Sequence, residues 1–248
     1  MDNAAAAPVI PRLAATVMVV RSARRGGFEV YMLRRNRRSR FMPDVYVFPG
    51  GAVDADDRTL AESTRVRRDA LAVAPELKVA ALRELFEEAG LLLALSADGS
   101  RPLLDRSALE SLRARLRAGA PLGELLAEAS FILDLGALVH YSNWITPLTE
   151  PIRFDTHFFI ARGPDDQIAA ADAIEVHDGR WITPDDAIAD ARAGRMPIAF
   201  PTLRHLERLA QFDDLETLLA HARTRRVKSI LPFEGGPADF AFLENGEW

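Results

Sequence analysis

The sequence reads as an α/β protein built on a mixed sheet. Apolar, β-branched stretches, beginning with Leu13 to Arg21, alternate with helical stretches along the 248 residues. Two early strands are joined by Gly26-Gly27 as a hairpin, and one helix, Lys78 to Leu91, carries a group of carboxylates that packing alone does not ask for. With 48% hydrophobic and 27% charged residues, the composition is that of a globular chain with a sizeable core.

Composition also excludes chemistry. There is no cysteine, so disulfides, thiolate nucleophiles and zinc-thiolate sites are out, in keeping with a reducing compartment. A formal charge of −5 offers no general attraction to nucleic acid, so polyanion binding would have to be local. Met1 to Pro8 lacks the basic start of a targeting signal, and Leu13 to Val20 is too short to span a bilayer, so the expectation is a cytoplasmic protein without membrane contact.

Residues 1–11 are Ala-rich, contain Pro8 and Pro11, and read as a loose tail, with residues 12–248 as one domain. After Leu13–Arg21 and the Gly-Gly turn, Phe28–Leu33 forms the second strand. Arg34, Arg35, Arg37, Arg38 and Arg40 follow, beside a short strand over Val45–Phe48. A solvated basic loop is one reading. The other is diphosphate binding, because guanidinium groups pair with phosphate oxygens in a two-pronged fork. Phe48-Pro49-Gly50-Gly51 predicts a sharp backbone bend that exposes a carbonyl. Asp54, Asp56 and Asp57 lie in an inserted stretch, 52–74, and read as helix-capping residues, not metal ligands.

Past Leu95 the pattern is helical. Ser107-x-x-Glu110 predicts a capping box, Leu109, Leu112 and Leu116 an apolar stripe, and Gly119 with Pro121 a stop. Residues 97–130, with a second segment over Leu122–Ala129, form a helical insertion that either covers the substrate pocket or makes a homodimer contact. Strands are then expected at Leu135–His140, Trp144–Thr146, Phe154–Ala161, Ile174–Val176 and Arg180–Ile182. Thr183, Pro184 and Asp185-Asp186 open a helix that Gly194 ends, and helices follow at Thr202–Ala210 and Asp213–Thr224, before a short apolar stretch at Ser229–Phe233. The five histidines are dispersed and form no serine-histidine-acid grouping along the chain.

The chemistry concentrates on KVAALRELFEEAGL, residues 78–91. At 3.6 residues per turn, Glu84, Glu87 and Glu88 share one face, opposite Val79, Leu82, Phe86 and Ala89. Like charges at these spacings cost roughly 0.2–0.5 kcal/mol per pair. They also stand in the last turns, where the helix dipole is already negative, with Gly90 as C-cap. Arg83 alone does not neutralise three carboxylates. A hard divalent cation would, since Mg²⁺ is held by a few carboxylates, waters and substrate phosphates. A crowded, solvated helix end is the alternative.

Arg83-Glu84-Leu85-x-Glu87-Glu88-x-Gly90-Leu91 resembles the second half of the Nudix box, whose pattern is G, five residues, E, seven residues, then R-E-U-x-E-E-x-G-U with U aliphatic. Gly51 and Arg83 enclose residues 52 to 82, eighteen more than the family's thirteen. Counting back from Arg83, the box's first glutamate falls on Pro75, with Glu76 one place off, so it reads as lost or displaced. The insertion, Phe41 to Asp57 and Arg153 to Phe159 resemble the branch that includes peroxisomal coenzyme A diphosphatases.

The resemblance implies a Nudix-type α/β/α sandwich and hydrolysis of the diphosphate of a nucleoside diphosphate linked to another moiety. It implies Mg²⁺ or Mn²⁺ on Glu84, Glu87, Glu88 and the Gly50 carbonyl. Arg83 would orient the carboxylates, Glu84 or Glu175 would serve as base, and Arg34, Arg35 and Gly51 would contact a small nucleotide-type substrate. Coenzyme A or an acyl derivative is the expected substrate, with ADP-ribose, NADH or another dinucleotide as the alternatives. A catalytically weak nucleotide-binding domain is the competing reading, prompted by Pro75.

Overall fold

The computed structural model describes residues 9–39, 42–68, 73–102, 105–172 and 174–231. Outside these fall residues 1–8 of the expected tail, Arg40, Phe41 and everything after 231, including the end of the expected apolar stretch. Strands β1 (Arg12–Ser22) and β2 (Phe28–Arg35) form the expected hairpin around Gly26 and Gly27, whose φ values of 91° and 72° lie in the left-handed region.

The main sheet runs β10 (Val176–Ile182), β2, β1, β9 (Phe154–Arg162), β8 (Val139–Ile145), β11 (Ser229–Ile230); β3 (Tyr46–Val47) pairs with β2 and β4 (Gly50–Ala52) with β1. It is mixed: β1–β9 and β8–β11 are parallel, and the other pairs antiparallel. Strand alternation divides β1 between two cores. Ala15, Val17 and Val19 face one cluster, and Met18 and Val20 the other. The first cluster is covered by α1 (Ala55–Glu62), α2 (Pro75–Ala89), α3 (Arg106–Arg117) and α4 (Leu122–Glu128); the second by α5 (Pro184–Arg192), α6 (Phe200–Leu209) and α7 (Leu215–Thr224). The result is an α/β/α sandwich, which explains why β1 reads as a nearly continuous apolar run.

Several expected elements differ. The helical stretch after Leu95 is preceded by a strand, β6 (Ala94–Ser96), which joins β7 (Phe131–Asp134) and β5 (Val66–Arg67) in a small second sheet. The 52–74 stretch thereby joins the strands that flank 97–130, and the two stretches meet where α1 packs on α4. Leu109, Leu116, Leu122, Leu125 and Leu126 are buried within the chain, so the apolar side of the inserted helices packs on the first core. Asp105, not Ser107, caps α3, accepting the Ala108 N–H at 2.7 Å. Leu135–Ala137 is a single 3-10 turn held by the Asp134 carboxylate, and the two strands expected over 135–146 are the one strand β8. The strands expected at 174–176 and 180–182 are both β10, interrupted by a bulge at Asp178, φ 50°.

Candidate active site

Helix α2 begins earlier than its apolar stripe, with Pro75 in the first turn, and ends at Gly90 in the left-handed region, φ 71°. The sequence placed its acid face opposite the core. That face is buried too: Glu88 is 5% exposed, and the Glu84 and Glu87 side chains 14% and 26%, because β4 lies across this end of the helix.

Both glycines of β4 are demanded by close approach. A Cβ on Gly51 would overlap the Glu84 carboxylate, and one on Gly50 would overlap the Ala15 carbonyl and Thr16 Cα of β1. Neither has a positive φ, so the expected sharp bend is instead a strand pressed between β1 and α2. Gly50 stands opposite Thr16 where no ladder bond forms, and its N–H donates to Glu88 Oε2 at 2.9 Å. Its carbonyl, on the same side of an extended residue, faces away from β1 as well.

Arg83 organises the carboxylates. Its Nε and Nη2 donate to Asp57 Oδ1 and Oδ2 at 2.8 and 2.9 Å, Nη2 also to the Ala52 carbonyl at 3.1 Å, and Nη1 to Glu84 Oε1 at 2.9 Å, with Glu87 Oε2 at 3.5 Å. Burial works against the Arg83 charge, but the Asp57 hydrogen bonds and the Glu84 and Glu87 charges hold its pKa above the ordinary arginine value. Asp57 is itself buried, in the first turn of α1, where Asp54 and Asp57 form a reciprocal capping box.

This bears on the reading of the box's first acid as lost or displaced. Counted forward from Gly51 over five residues, the position is Asp57, and the insertion falls after it. The signal was present in the sequence, but the count back from Arg83 ran through the insertion and landed on Pro75. Glu76 sits in the first turn of α2, seven residues before Arg83 and about two turns away along the helix.

Burial, reinforced by the Glu87 and Glu175 charges against the opposing pull of Arg83, pushes Glu84 up to about 7. Burial and the Glu84 charge raise Glu88 well above the ordinary carboxylate range, and burial raises Glu87. Glu175 is exposed, on the turn before β10, and its charge reaches all three. Its backbone is fixed by the Asp172 carboxylate, which accepts the Glu175 N–H at 3.1 Å, and by the Asn36 N–H on its carbonyl at 2.9 Å.

The arginines separate. Arg35 shares a face of β2 with Tyr31 and Leu33, toward α2, and its charge is felt by Glu88; its Nε is buried without a hydrogen-bond partner. Arg34 lies on the opposite face, paired with Asp44 at 2.9 Å and stacked over Tyr46, which in turn bonds Asp178. Arg37 also pairs with Asp44, at 3.2 Å, on the surface. The structure thus brings Arg35, Gly50, Gly51, Arg83, Glu84, Glu87, Glu88 and Glu175 together, adds Asp57, and leaves Arg34 aside. Elsewhere it joins His157 Nδ1 to His140 Nε2 at 3.1 Å, with Asp155 beside them, and His205 to Ser142, pairings that sequence separation hid.

As they stand, no three His, Asp or Glu side chains among the described residues form a ready ligand shell. The carboxylates of Glu84 and Glu87 are turned to Arg83 and that of Glu88 to Gly50. The donor set nonetheless fits a hard divalent cation: oxygen ligands only, buried, mutually repelling, and matched by too few cationic groups.

A mixed-sheet α/β/α sandwich with such a carboxylate helix beneath a Gly-Gly strand defines the Nudix class of hydrolase folds. A family model for the NUDT19 Nudix domain matches residues 59–209, and the chain belongs to that family. The acyl-coenzyme A diphosphatases NUDT19 of Gallus gallus and Homo sapiens are 30% and 28% identical to it over 81% and 82% of this chain, and 66% of each of those proteins. The chain spans about three fifths to two thirds of the length of the curated relatives it matches. The crystal structure of a NUDIX hydrolase from Alicyclobacillus acidocaldarius, 28% identical, covers 94% of this chain and 100% of its own at a TM-score of 0.77.

Proposed function

We propose that the protein is a divalent-cation-dependent Nudix diphosphatase that hydrolyses the diphosphate of a nucleoside diphosphate linked to another moiety, with coenzyme A or an acyl-coenzyme A as substrate. The observation that carries this reading is the group of three glutamates on the end of α2, Glu88 buried and Glu84 and Glu87 half-buried, served by one guanidinium and closed by β4. Glu84, Glu87, Glu88 and the Gly50 carbonyl hold the cation, Mg²⁺ or Mn²⁺. When bound, it supplies charge neutralisation at the phosphate oxygens and activates water for attack. Arg83, itself fixed by Asp57, aims Glu84 and Glu87. Arg35 has a donor to give to a phosphate oxygen. Gly51 keeps the floor beside Glu84 free of side-chain atoms. Water adds to one phosphorus, the bridging P–O bond breaks, and a glutamate, Glu84 or the exposed Glu175, takes the proton.

The coenzyme A assignment rests on what the relatives are called, not on the arginine cluster, since Asp44 pairs with two of its members. The rival reading of a binding-only domain loses its motive once Asp57 occupies the position thought lost. The composition, without cysteine, suits a cytoplasmic site of action.

The test is a phosphate-chemistry assay over coenzyme A, dephospho-coenzyme A, acyl-coenzyme A, ADP-ribose and NADH with Mg²⁺ and Mn²⁺. Coenzyme A or an acyl derivative is expected to be cleaved to a 3′,5′-bisphosphate nucleotide and a phosphopantetheine. Glu88→Gln, which keeps an acceptor for the Gly50 N–H, is expected to fold and to be inactive. Turnover of ADP-ribose or NADH ahead of coenzyme A removes the substrate assignment, and full activity of Glu88→Gln removes the cation site.

A further inference from the structure

We propose that Arg113, on α3 of the helical insertion, is a positioning residue that ties the carboxylate end of α2 to the segment leading into Glu175. The inference rests on the cation-site reading above.

A helix leaves its last carbonyls without partners, and in α2 these include the carbonyls of Glu87 and Glu88 themselves. The C-cap Gly90 N–H reaches back only to Phe86. Arg113 supplies what is missing: Nε donates to the Glu87 carbonyl and Nη2 to the Glu88 carbonyl, each at 2.9 Å. Arg113 is 3% exposed, and its guanidinium places positive charge at the negative end of the helix dipole. Gly90 is favoured by its left-handed φ, and a Cβ there would stand in tight contact, 3.0 Å, with Arg113 Nη1.

The same Nη2 donates to the Ala170 carbonyl at 2.9 Å. Residues 167–172 are fastened along the end of α2 by further bonds: Ala170 N–H to the Ala89 carbonyl at 2.9 Å, and Gln167 to both the N–H and the carbonyl of Leu92 at 2.8 and 3.0 Å. Two residues on, the Asp172 carboxylate accepts the N–H groups of Ile174, Glu175 and Val176. One buried side chain therefore bridges both backbone sources of the site's carboxylates. A planar guanidinium presents its donors in a fixed fork that spans the three carbonyls, whereas a lysine ammonium concentrates its donors at one point. Carbonyl partners behind ligand-bearing residues act as an outer shell whose loss typically weakens metal binding about 10–100-fold.

The experiment measures Mn²⁺ affinity from the loss of the free-ion electron paramagnetic resonance signal, without substrate, in the unsubstituted protein, Arg113→Met, Arg113→Lys and Leu109→Ala. Leu109 is buried on the same helix and bonds none of these carbonyls, so its variant loses packing alone. Expected is a loss of about tenfold or more for Arg113→Met, an intermediate loss for Arg113→Lys, and unsubstituted affinity for Leu109→Ala at a similarly lowered Tm. Arg113→Lys keeps the comparison open where Arg113→Met does not fold. Unchanged affinity in both Arg113 variants, or an equal loss in Leu109→Ala, overturns the positioning role alone. Failure of the unsubstituted protein to bind Mn²⁺ overturns the cation site and this inference with it.

Discussion

Arg83 and Asp57 form the pair on which the carboxylate site turns. Both prongs of the guanidinium are engaged, and neither partner is open to water, so removing the acid takes the charged acceptors from Nε and Nη2 and leaves buried donors that Glu84 and Glu87, on the other side of the guanidinium, do not reach. Breaking such a buried pair costs about 3–5 kcal/mol. Asp57→Asn is therefore expected to lower unfolding free energy by about that amount and to cut turnover. Glu76→Gln, at the position nearest to the family's glutamate in the backward count, is expected to stay within about 0.5 kcal/mol of the unsubstituted protein. Urea titration of the two variants decides: a larger loss for Glu76→Gln would return the box's acid to the start of α2. The three glutamates and Arg83 were legible because they stand within five residues on one helix. Asp57 was not, since its partner lies beyond an insertion whose placement no local pattern fixes. Arg35 and Arg34 illustrate the opposite error. Adjacent in sequence, they were read as one patch, but neighbouring residues of a strand point to opposite faces.

Among the elements, α6 docks on β8 through a buried polar contact. His205 Nδ1 stands 2.6 Å from the Pro201 carbonyl and Nε2 2.5 Å from Ser142 Oγ. A carbonyl only accepts, so Nδ1 carries the proton and Nε2 accepts from the serine. Burial pushes the pKa of His205 down to about 3, so the native ring is neutral while an unfolded one titrates near the ordinary value of 6.5. Between those values the unfolded chain binds the extra proton. This share of stability is complete above about 6.5 and is lost as pH falls toward 3. His140, pushed down to about 4 by burial and by His157, acts with the same sign, whereas the raised Glu84 and Glu88 act with the opposite one. The comparison that isolates His205 is with His205→Gln. From pH 7 to pH 5 the unsubstituted protein is expected to lose about 2 kcal/mol more than the variant, at about 1.4 kcal/mol per pH unit below 6.5. Equal losses would place the acid sensitivity elsewhere. Boundaries at this level were legible where turn chemistry is explicit, as at Gly26-Gly27 and Thr183-Pro184. They were missed at β8, which starts after a 3-10 turn and shifts register between His140 and Ser142, and at β10, where a bulge interrupts a period that sequence reads as separate strands.

The whole molecule stores unneutralised charge where its layers meet. Alternation of strands and helices was enough to foresee the sandwich, because each layer buries its own periodic face. What alternation did not convey is that the first inserted stretch adds a strand to a second sheet with the two strands flanking 97–130, while α1 packs on α4 and both α1 and α3 pack on α2, so that a helix which looks amphipathic is buried nearly all round. Against that burial stand Glu84, Glu87 and Glu88, matched by a shared guanidinium and a backbone N–H. A cation bound by the folded chain and not by the unfolded one stabilises the former by RT ln(1 + [L]/Kd), about 2.7 kcal/mol at a hundredfold excess over Kd. For a chain of this length that corresponds to a rise in Tm of about 5–10 °C. Mn²⁺ or Mg²⁺ is therefore expected to raise Tm by about this much, saturably, while KCl at matched ionic strength is expected to change it little. Glu88→Gln is expected to start with a Tm at least equal to that of the unsubstituted protein, because a buried charge is gone, and to respond to Mn²⁺ weakly. Scanning calorimetry of both proteins across a Mn²⁺ series reads the two effects separately, and a full Mn²⁺ response in Glu88→Gln would put the cation somewhere other than the end of α2.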